Sequence, residues 1–440
     1  MSMPEQLTPF DEMQRRQARD AALRMIGQQP GLTPAIVELA RVTRDEPIDQ
    51  KRQYLQTVTR NSPKPAADRL LCLNGWLGVR PCAREEYEFF AYEMESSDLR
   101  QLPGSVSDMV HRYIAGIALD FGDFKRAEVH ARANPASANS PLLLSEALYG
   151  LGRFDEVVGF DFHSLQWSDD EVGRCQVAVD LRKIANITVS GPPIVLVCVD
   201  GVYFQEFAVA ELLSLHETTP DLEIHLHVMD PLPTTERLLE GLKSKCNGRR
   251  ITVTSEQVAR RDADYLKLHY CCMRFVWAAA LARHLDRTVI VTDADVLFRR
   301  DMRTYLKASE GYDVALVEYP GQRFGNRYGA AWVVFHPTTN GRRYLERVSA
   351  MILHQFNQGG GMWLLDQVAL YVVSDTLERR NSLQLLRWPD SVVSDRWHDD
   401  DPVWNGAGDR KYQENKYTSL KHEVLSRHGF DPSDVNRIAG

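Results

Sequence analysis

Asp293-Ala294-Asp295 follows the apolar run Thr288 to Val291 and leads into Val296-Leu297-Phe298. Two carboxylates one residue apart, at the mouth of a buried strand, can hold a hard divalent cation through oxygen, and such an ion keeps open positions for phosphate. A phosphate ester or a metal-bound nucleotide sugar is therefore the leading substrate class. The plain alternative is a strand-terminating turn, which Asp also favours. His398-Asp399-Asp400-Asp401 imitates a metal cluster, yet it reads as an exposed acidic loop.

Three further segments carry polar groups suited to a site. Lys267, Cys271 and Arg274 are spaced i, i+4, i+7 and share a helix face, while Phe275 and Ala278 face a sheet. Asp366-Gln367 follows Gln358-Gly359-Gly360-Gly361, whose glycines suit either a mobile loop beside a site or a simple helix connection. Trp404-Asn405-Gly406-Ala407-Gly408-Asp409-Arg410-Lys411 sets a lysine behind a glycine-rich turn.

The elements that must position these groups fall into two patterns. From Thr8 to about Ile187 the apolar spacing is helical, and from Pro193 short apolar strands alternate with amphipathic helices. Ser190-Gly191-Pro192-Pro193 marks the change, so domains 1–188 and 189–440 are expected. The second pattern reads as strand Ile194 to Val199; a helix burying the stripe Phe204, Phe207, Ala208, Leu212 and Leu215; strand Leu222 to Val228; and strand Arg250 to Val253 after a turn at Asn247-Gly248. A long helix from about Tyr265 to His284 then buries Phe275, Ala278, Ala279, Ala282 and Leu285, and runs into the strand ending at Asp293. Such alternation predicts an open, mostly parallel sheet with ligands outside the carboxyl ends of its strands. Asp200 and Asp293 both fall at such ends.

Within the first pattern, Phe121-Gly122-Asp123-Phe124-Lys125-Arg126-Ala127 is echoed by Leu151-Gly152-Arg153-Phe154-Asp155-Glu156-Val157 at a 30-residue offset. Each glycine would let a helix end turn tightly, and each aromatic would pack between paired helices. The two copies resemble tetratricopeptide-like helical hairpins, with Leu73 to Tyr87 a degenerate third. A generic helical bundle is the alternative, and either assigns this half to binding rather than chemistry.

Bulk properties agree with two globular domains. The 440 residues exceed one ordinary core, and 44% hydrophobic and 25% charged residues indicate neither disorder nor a fibrous repeat. A net charge of -8 argues against nucleic-acid binding through bulk electrostatics. Seven cysteines, odd in number and without a CxxC pair, read as reduced thiols. Met1 to Arg15 is polar, and no run approaches the ~18 apolar residues of a spanning helix, so a cytoplasmic protein without a transmembrane segment is expected.

Residues 194 to about 415 resemble a GT-A glycosyltransferase domain, most similar to the retaining, glycogenin- and lipopolysaccharide-galactosyltransferase-like enzymes of glycosyltransferase family 8. The matching pieces occur in the family's order: Asp200-x-x-Tyr203 after a strand, Ser214-Leu215, His225-Leu226-His227-Val228, Tyr270 and Arg274, Asp293-x-Asp295, Asp366-Gln367 and the final Gly/Lys segment. The family carries H-x-x-G-x-x-K in that last segment. This chain keeps Gly408 and Lys411 but has Asn405 in place of the histidine, whose role an amide oxygen can fill for a hard ion. Arg327-Tyr328-Gly329-Ala330-Ala331 stands where the family has N-[AS]-G along the sugar pocket, with Gly329 in place of Asn.

The resemblance implies an α/β GT-A domain preceded by an all-α helical-hairpin domain, and metal-dependent transfer of a hexosyl group from a nucleoside diphosphate sugar, UDP-linked, with retention. It implies Asp293, Asp295 and Asn405 as ligands of Mn²⁺ or Mg²⁺. Asp200, Tyr203, Arg274, Asp293, Gly408 and Lys411 would hold the nucleotide sugar, and Asp366, Gln367 and Arg274 would lie at the reacting carbon. The acceptor would be a glycan, lipid or protein, with the helical domain free to bind a protein partner. The rival readings are a haloacid-dehalogenase-like phosphatase with Asp293 as nucleophile, and a catalytically silent helical-repeat scaffold.

Overall fold

The computed structural model describes residues 9–77, 83–96, 104–133, 140–157, 159–177, 187–260, 262–319, 322, 324–359, 361–406 and 408–435. Of the segments singled out above, residues 1–8 and 78–82, with Cys82, Gly360 and Ala407, lie outside them. The chain separates into two compact units, Met1–Arg153 and Phe154–Gly440. The change from helices to strands comes later, at Pro193/Ile194. An N-terminal helical region is thus followed by an α/β region.

The first unit consists of α1 (Pro9–Gln28), α2 (Thr33–Val42), α3 (Ile48–Thr59), α4 (Pro65–Leu77), α5 (Arg84–Glu95), α6 (Gly104–Asp120), α7 (Phe124–Ala133) and α8 (Ser140–Gly150). The echoed glycines end their helices in the same way. Gly122 and Gly152 take φ values of +69° and +71°, and the next amides, of Asp123 and Arg153, return to the carbonyls of Ala118 and Leu148 at 2.8 and 2.9 Å. Both are Schellman ends, in which glycine escapes the Cβ penalty of left-handed backbone. Phe124 packs its ring on Gly150, where a Cβ would come within 2.3 Å of it. The aromatic partner expected of the first copy is therefore in place.

In the second unit, α9 (Asp169–Cys175) precedes β1 (Ile194–Asp200), which leads through a short α10 (Gly201–Tyr203) and one π turn (Phe204–Ala208) into α11 (Val209–Thr218). Then come β2 (Glu223–Met229), α12 (Thr235–Lys245), β3 (Ile251–Glu256), α13 (Ala263–His284), β4 (Val289–Thr292), β5 (Val296–Phe298), α14 (Arg303–Ala308), β6 (Val314–Glu318) and β7 (Tyr328–Phe335). The chain continues with α15 (Thr339–Asn357), α16 (Leu365–Arg379), β8 (Leu385–Trp388), β9 (Val393–Ser394), β10 (Val403–Asn405) and α17 (Lys416–Arg427). The main sheet runs in the order β3-β2-β1-β4-β7-β6-β8, and β5-β10-β9 form a small second sheet.

The main sheet is mixed. β1 pairs parallel with β2 and β4, β2 with β3, and β6 with β8, whereas β7 runs antiparallel to both β4 and β6. Alternating helices predict parallel neighbours; β7 is reversed because it follows β6 without a crossover helix. That reversal places Gly329–Ala331 beyond the carboxyl end of β4, beside Asp293, whose amide donates to the Ala331 carbonyl at 3.2 Å.

The helices explain the burial. Asp262 caps α13 through Tyr265 N at 3.0 Å, and α13 buries Phe275, Ala278 and Ala279 completely against β1 and β4. The stripe expected on α11 is buried too, as are Gln205, Glu206 and Glu211. β5 and α17 also pack on α11. Among the described residues the cysteines other than Cys82 form no disulfide, and no helix is long and apolar enough to cross a membrane.

Candidate active site

β4 ends at Thr292, and the next carboxylates point to different partners. Asp293 Oδ1 lies 2.8 Å from Arg274 Nη1. The same guanidinium donates through Nη2 to Asp366 Oδ2 at 2.7 Å. Arg274 comes from the face of α13 turned to the strand ends, and Asp366 from the first turn of α16, which Leu364 enters with a left-handed φ of +76°. Both are nearly fully buried, whereas the Asp293 side chain is 37% exposed. Burial alone would lower the affinity of Arg274 for its proton, but the Asp293 and Asp366 charges outweigh it and hold the guanidinium charged.

Asp295 forms a second pair. Its Oδ2 lies 2.5 Å from Lys411 Nζ, both side chains being under a tenth exposed. Burial and the neighbouring Asp293 push the Asp295 carboxyl up to about 6, against the opposing pull of Lys411. The Lys411 ammonium sits 4.7 Å from the ring centre of Tyr203 and 5.2 Å from that of Phe207. Gly408 opens the turn that delivers it, at φ +63°. β10 completes the arrangement: Asn405 is paired with Val296 across the antiparallel ladder, and Gly406 N donates to the Asp295 carbonyl at 2.8 Å.

A cavity of about 640 Å³ opens beside these pairs, with Asp293, Gln367 and Asn405 in its wall. Asp200, Tyr203, Gly408 and Lys411 are not part of that wall. Asp200 instead caps α10, its Oδ1 accepting from Val202 N and Tyr203 N at 2.8 and 3.1 Å, and burial raises its carboxyl above the usual range. The amide of Gln367 in its hydrogen-bonding orientation donates to the Gly325 and Tyr328 carbonyls at 2.9 and 3.1 Å. Lys267, on the α13 face, stacks over Trp363 at 4.3 Å. His398 to Asp400 are exposed as expected, while Asp401 is buried and accepts from His398 N at 2.8 Å, which makes this stretch a turn.

Several residues here escaped the sequence. Glu211, fully buried on α11 beside Thr292, is pushed well above the carboxylate range, first by burial and then by Asp293 and Asp295. Tyr417 Oη donates to the Asp295 carbonyl at 3.0 Å from α17, 122 residues away in sequence. The Asn405 carbonyl accepts from Trp397 Nε1 at 2.9 Å. Each sits at an apolar-looking position in its own element, and no local signal marks it.

Among the described residues no group of three or more His, Cys, Asp or Glu side chains is placed to hold a metal. Of the three expected ligands, Asp293 and Asn405 line the same cavity and Asp295 does not, and each carboxylate is engaged by its cation through one oxygen. An all-oxygen set of three suits a hard divalent ion whose other positions go to phosphate or water.

No protein-family model matches the chain, and no curated protein matches it. Solved structures with a similar course of chain include the galactosyltransferase LgtC in complex with donor and acceptor sugar analogs (11% identity, 52% of this chain and 95% of that one, TM-score 0.38). Others are the glycosyltransferase GlyE of Streptococcus pneumoniae TIGR4 (12%, 56% and 62%, 0.38) and the bifunctional glycosyltransferase WbbM (13%, 56% and 51%, 0.39). Likeness this distant says nothing of activity, and the functional reading rests on the residues themselves.

Proposed function

We propose that the second unit is a GT-A-type glycosyltransferase that moves a hexosyl group from a UDP-linked sugar to a glycan, lipid or protein acceptor, with retention of configuration. The observation that supports this most is the pairing of two buried cations with alternate carboxylates at a strand end: Arg274 on Asp293 and Asp366, Lys411 on Asp295. In a transfer that expels a diphosphate, the barrier is set by negative charge gathering on the leaving group, and preorganised cations that cost no reorganisation lower it most. A Mn²⁺ or Mg²⁺ ion held by Asp293, Asp295 and Asn405 would add to that stabilisation.

Arg274 and Lys411 are assigned to the diphosphate side, and Asp200 and Tyr203 to the base. Asp366 and Gln367 are assigned to the anomeric carbon, with Arg274 fixing the Asp366 carboxylate. The helical region, with its two matched helix ends, is assigned to acceptor or partner recognition, in the manner of tetratricopeptide-like hairpins. A cytoplasmic location fits the reduced cysteines.

Thermal melting of the full chain with nucleoside diphosphates and their sugars, with and without Mn²⁺, tests the proposal. Ligand at about 100 times its dissociation constant should add ~2.7 kcal/mol, and the gain should disappear in Asp295→Asn. Indifference to every nucleoside diphosphate would sink it.

A further inference from the structure

Gly329 stands where the resemblance calls for an asparagine that reaches the sugar, and something else fills that space. A Cβ at Gly329 would lie 3.0 Å from Cε2 and 3.1 Å from the hydroxyl of Tyr319. Contacts this tight are rare for a Cβ, so a side chain at 329 would require the ring to shift. Tyr319 directly follows β6; its amide donates to the Arg327 carbonyl at 2.8 Å and its hydroxyl to the Val393 carbonyl at 3.4 Å. The ring is thereby fixed between β7 and β9, in the wall of the cavity that also holds Asp293 and Gln367.

The same cavity has acidic lining residues near Tyr319. Asp390 and Asp395 line it, and together with Asp293 they raise the Tyr319 hydroxyl, which burial pushes up to about 12. Two guanidiniums, of Arg396 and Arg410, also line the cavity; Arg410 donates to the Asp395 carbonyl at 2.8 Å, pairs with the Asp395 carboxylate at 3.6 Å and lies 4.2 Å from the centre of the Trp397 ring. Asp293 is held by Arg274 and Asp395 by Arg410, so among the lining charges Asp390 and Asp401 stand against the Arg396 guanidinium. Such a wall accepts hydrogen bonds from hydroxyls and repels a carboxylate.

We infer that Tyr319 and the Asp390/Asp395 pair select an uncharged hexosyl group, the ring covering its C–H face and the carboxylates accepting its hydroxyls, and that they reject uronic-acid donors. This rests on the donor use proposed above. An aromatic ring with a polar tip offers the apolar face and fixed geometry that a sugar face needs. The repulsive element supplies the discrimination, as it does in specific sites generally.

Titration calorimetry of the full chain in Mn²⁺ with UDP, UDP-glucose, UDP-galactose and UDP-glucuronate tests the assignment. UDP-glucuronate should bind at least ~10-fold more weakly than the better neutral hexose donor, the size of a single-group discrimination in a pocket. Asp390→Asn with Asp395→Asn should close that gap. Tyr319→Ala should remove the advantage of the hexose donor over UDP while UDP itself binds as before, and Tyr319→Phe should keep it. If UDP binds but glucuronate is accepted equally, or Tyr319→Ala changes nothing, the selection is wrong and the donor reading stands. If neither UDP nor any of these sugars binds, the donor reading fails and takes this inference with it.

Discussion

Arg274 holds Asp293 and Asp366 at once, with its two terminal nitrogens 2.8 and 2.7 Å from carboxylates that lie 73 residues apart in the chain. A planar guanidinium can do this and an ammonium cannot, since its donors diverge in a fixed fork. Arg274→Lys should therefore fold but lose donor turnover by ~100-fold, the cost of one misplaced electrostatic group. Arg274→Met removes the charge between two buried or half-buried carboxylates and should cost ~3–5 kcal/mol of stability. Denaturant melts and donor hydrolysis separate the two effects. Full activity in the lysine variant would remove Arg274 from the site.

Lys411 and Asp295 make the other pair, and its burial decides what truncation does. Lys411→Met leaves a buried carboxylate alone and should destabilise by ~3–5 kcal/mol, whereas the double variant with Asp295→Asn should recover most of that loss. Donor turnover should fall by at least ~100-fold in both, and excess chelator should have the same effect on the unaltered chain. Turnover that survives both the Asp295 change and the chelator would end the metal assignment.

Asn405 tests the metal set by itself. Asn405→Ala should weaken Mn²⁺ and UDP binding together, while Asn405→His should keep substantial activity and add a titration near pH 6.5 to the rate profile, because imidazole brings a proton that an amide lacks. Calorimetry and a pH series would show it. Normal Mn²⁺ binding by the alanine variant would leave the two aspartates without this third ligand.

How much of this was legible shows in particular residues. Asp293, Asp295 and Arg274 were readable because each lies where a periodic apolar run stops or turns its back, so local spacing alone places it. Glu211 was not. It stands on the apolar stripe itself, four residues after Phe207, where a lone carboxylate carries no local signal, and the Thr292 it meets lies 81 residues onward. The reversal of β7 was equally invisible, because strand direction depends on a connection and leaves no mark on a fully buried run such as Tyr328–Phe335. Tyr319 could have been suspected from Gly329, since a missing side chain in a packed wall implies a neighbour that fills it.

His225 predicts the acid limit of the fold. On β2 it is wholly buried, bonded to Thr252 Oγ1 at 2.9 Å, and burial lowers its pKa to about 3. The unfolded chain then binds the proton first, so this residue's contribution to stability is whole above pH ~6.5 and drains away as the pH falls from there toward 3. The drain should amount to roughly 4 kcal/mol. Denaturant titrations at pH 7, 5.5 and 4.5 should show it, and His225→Gln should flatten that slope. An unchanged slope in a folded variant would assign the acid sensitivity elsewhere.

The π turn at Phe204–Ala208 has its consequence in what evolution can insert or delete. A π turn holds one residue more than the α-helix around it, and each residue of helix advances the next by ~100°. Removing any one of the five would regularise the helix and swing everything after it through that angle. Glu211 would leave Thr292, and Ser214, whose Oγ accepts from Phe298 N at 3.0 Å, would release β5, the strand to which Asn405 is paired. Scanning single-residue deletions along 201–218 should find this stretch intolerant even where alanine is accepted, because the stretch measures out a phase and a shorter chain arrives at the site facing the wrong way.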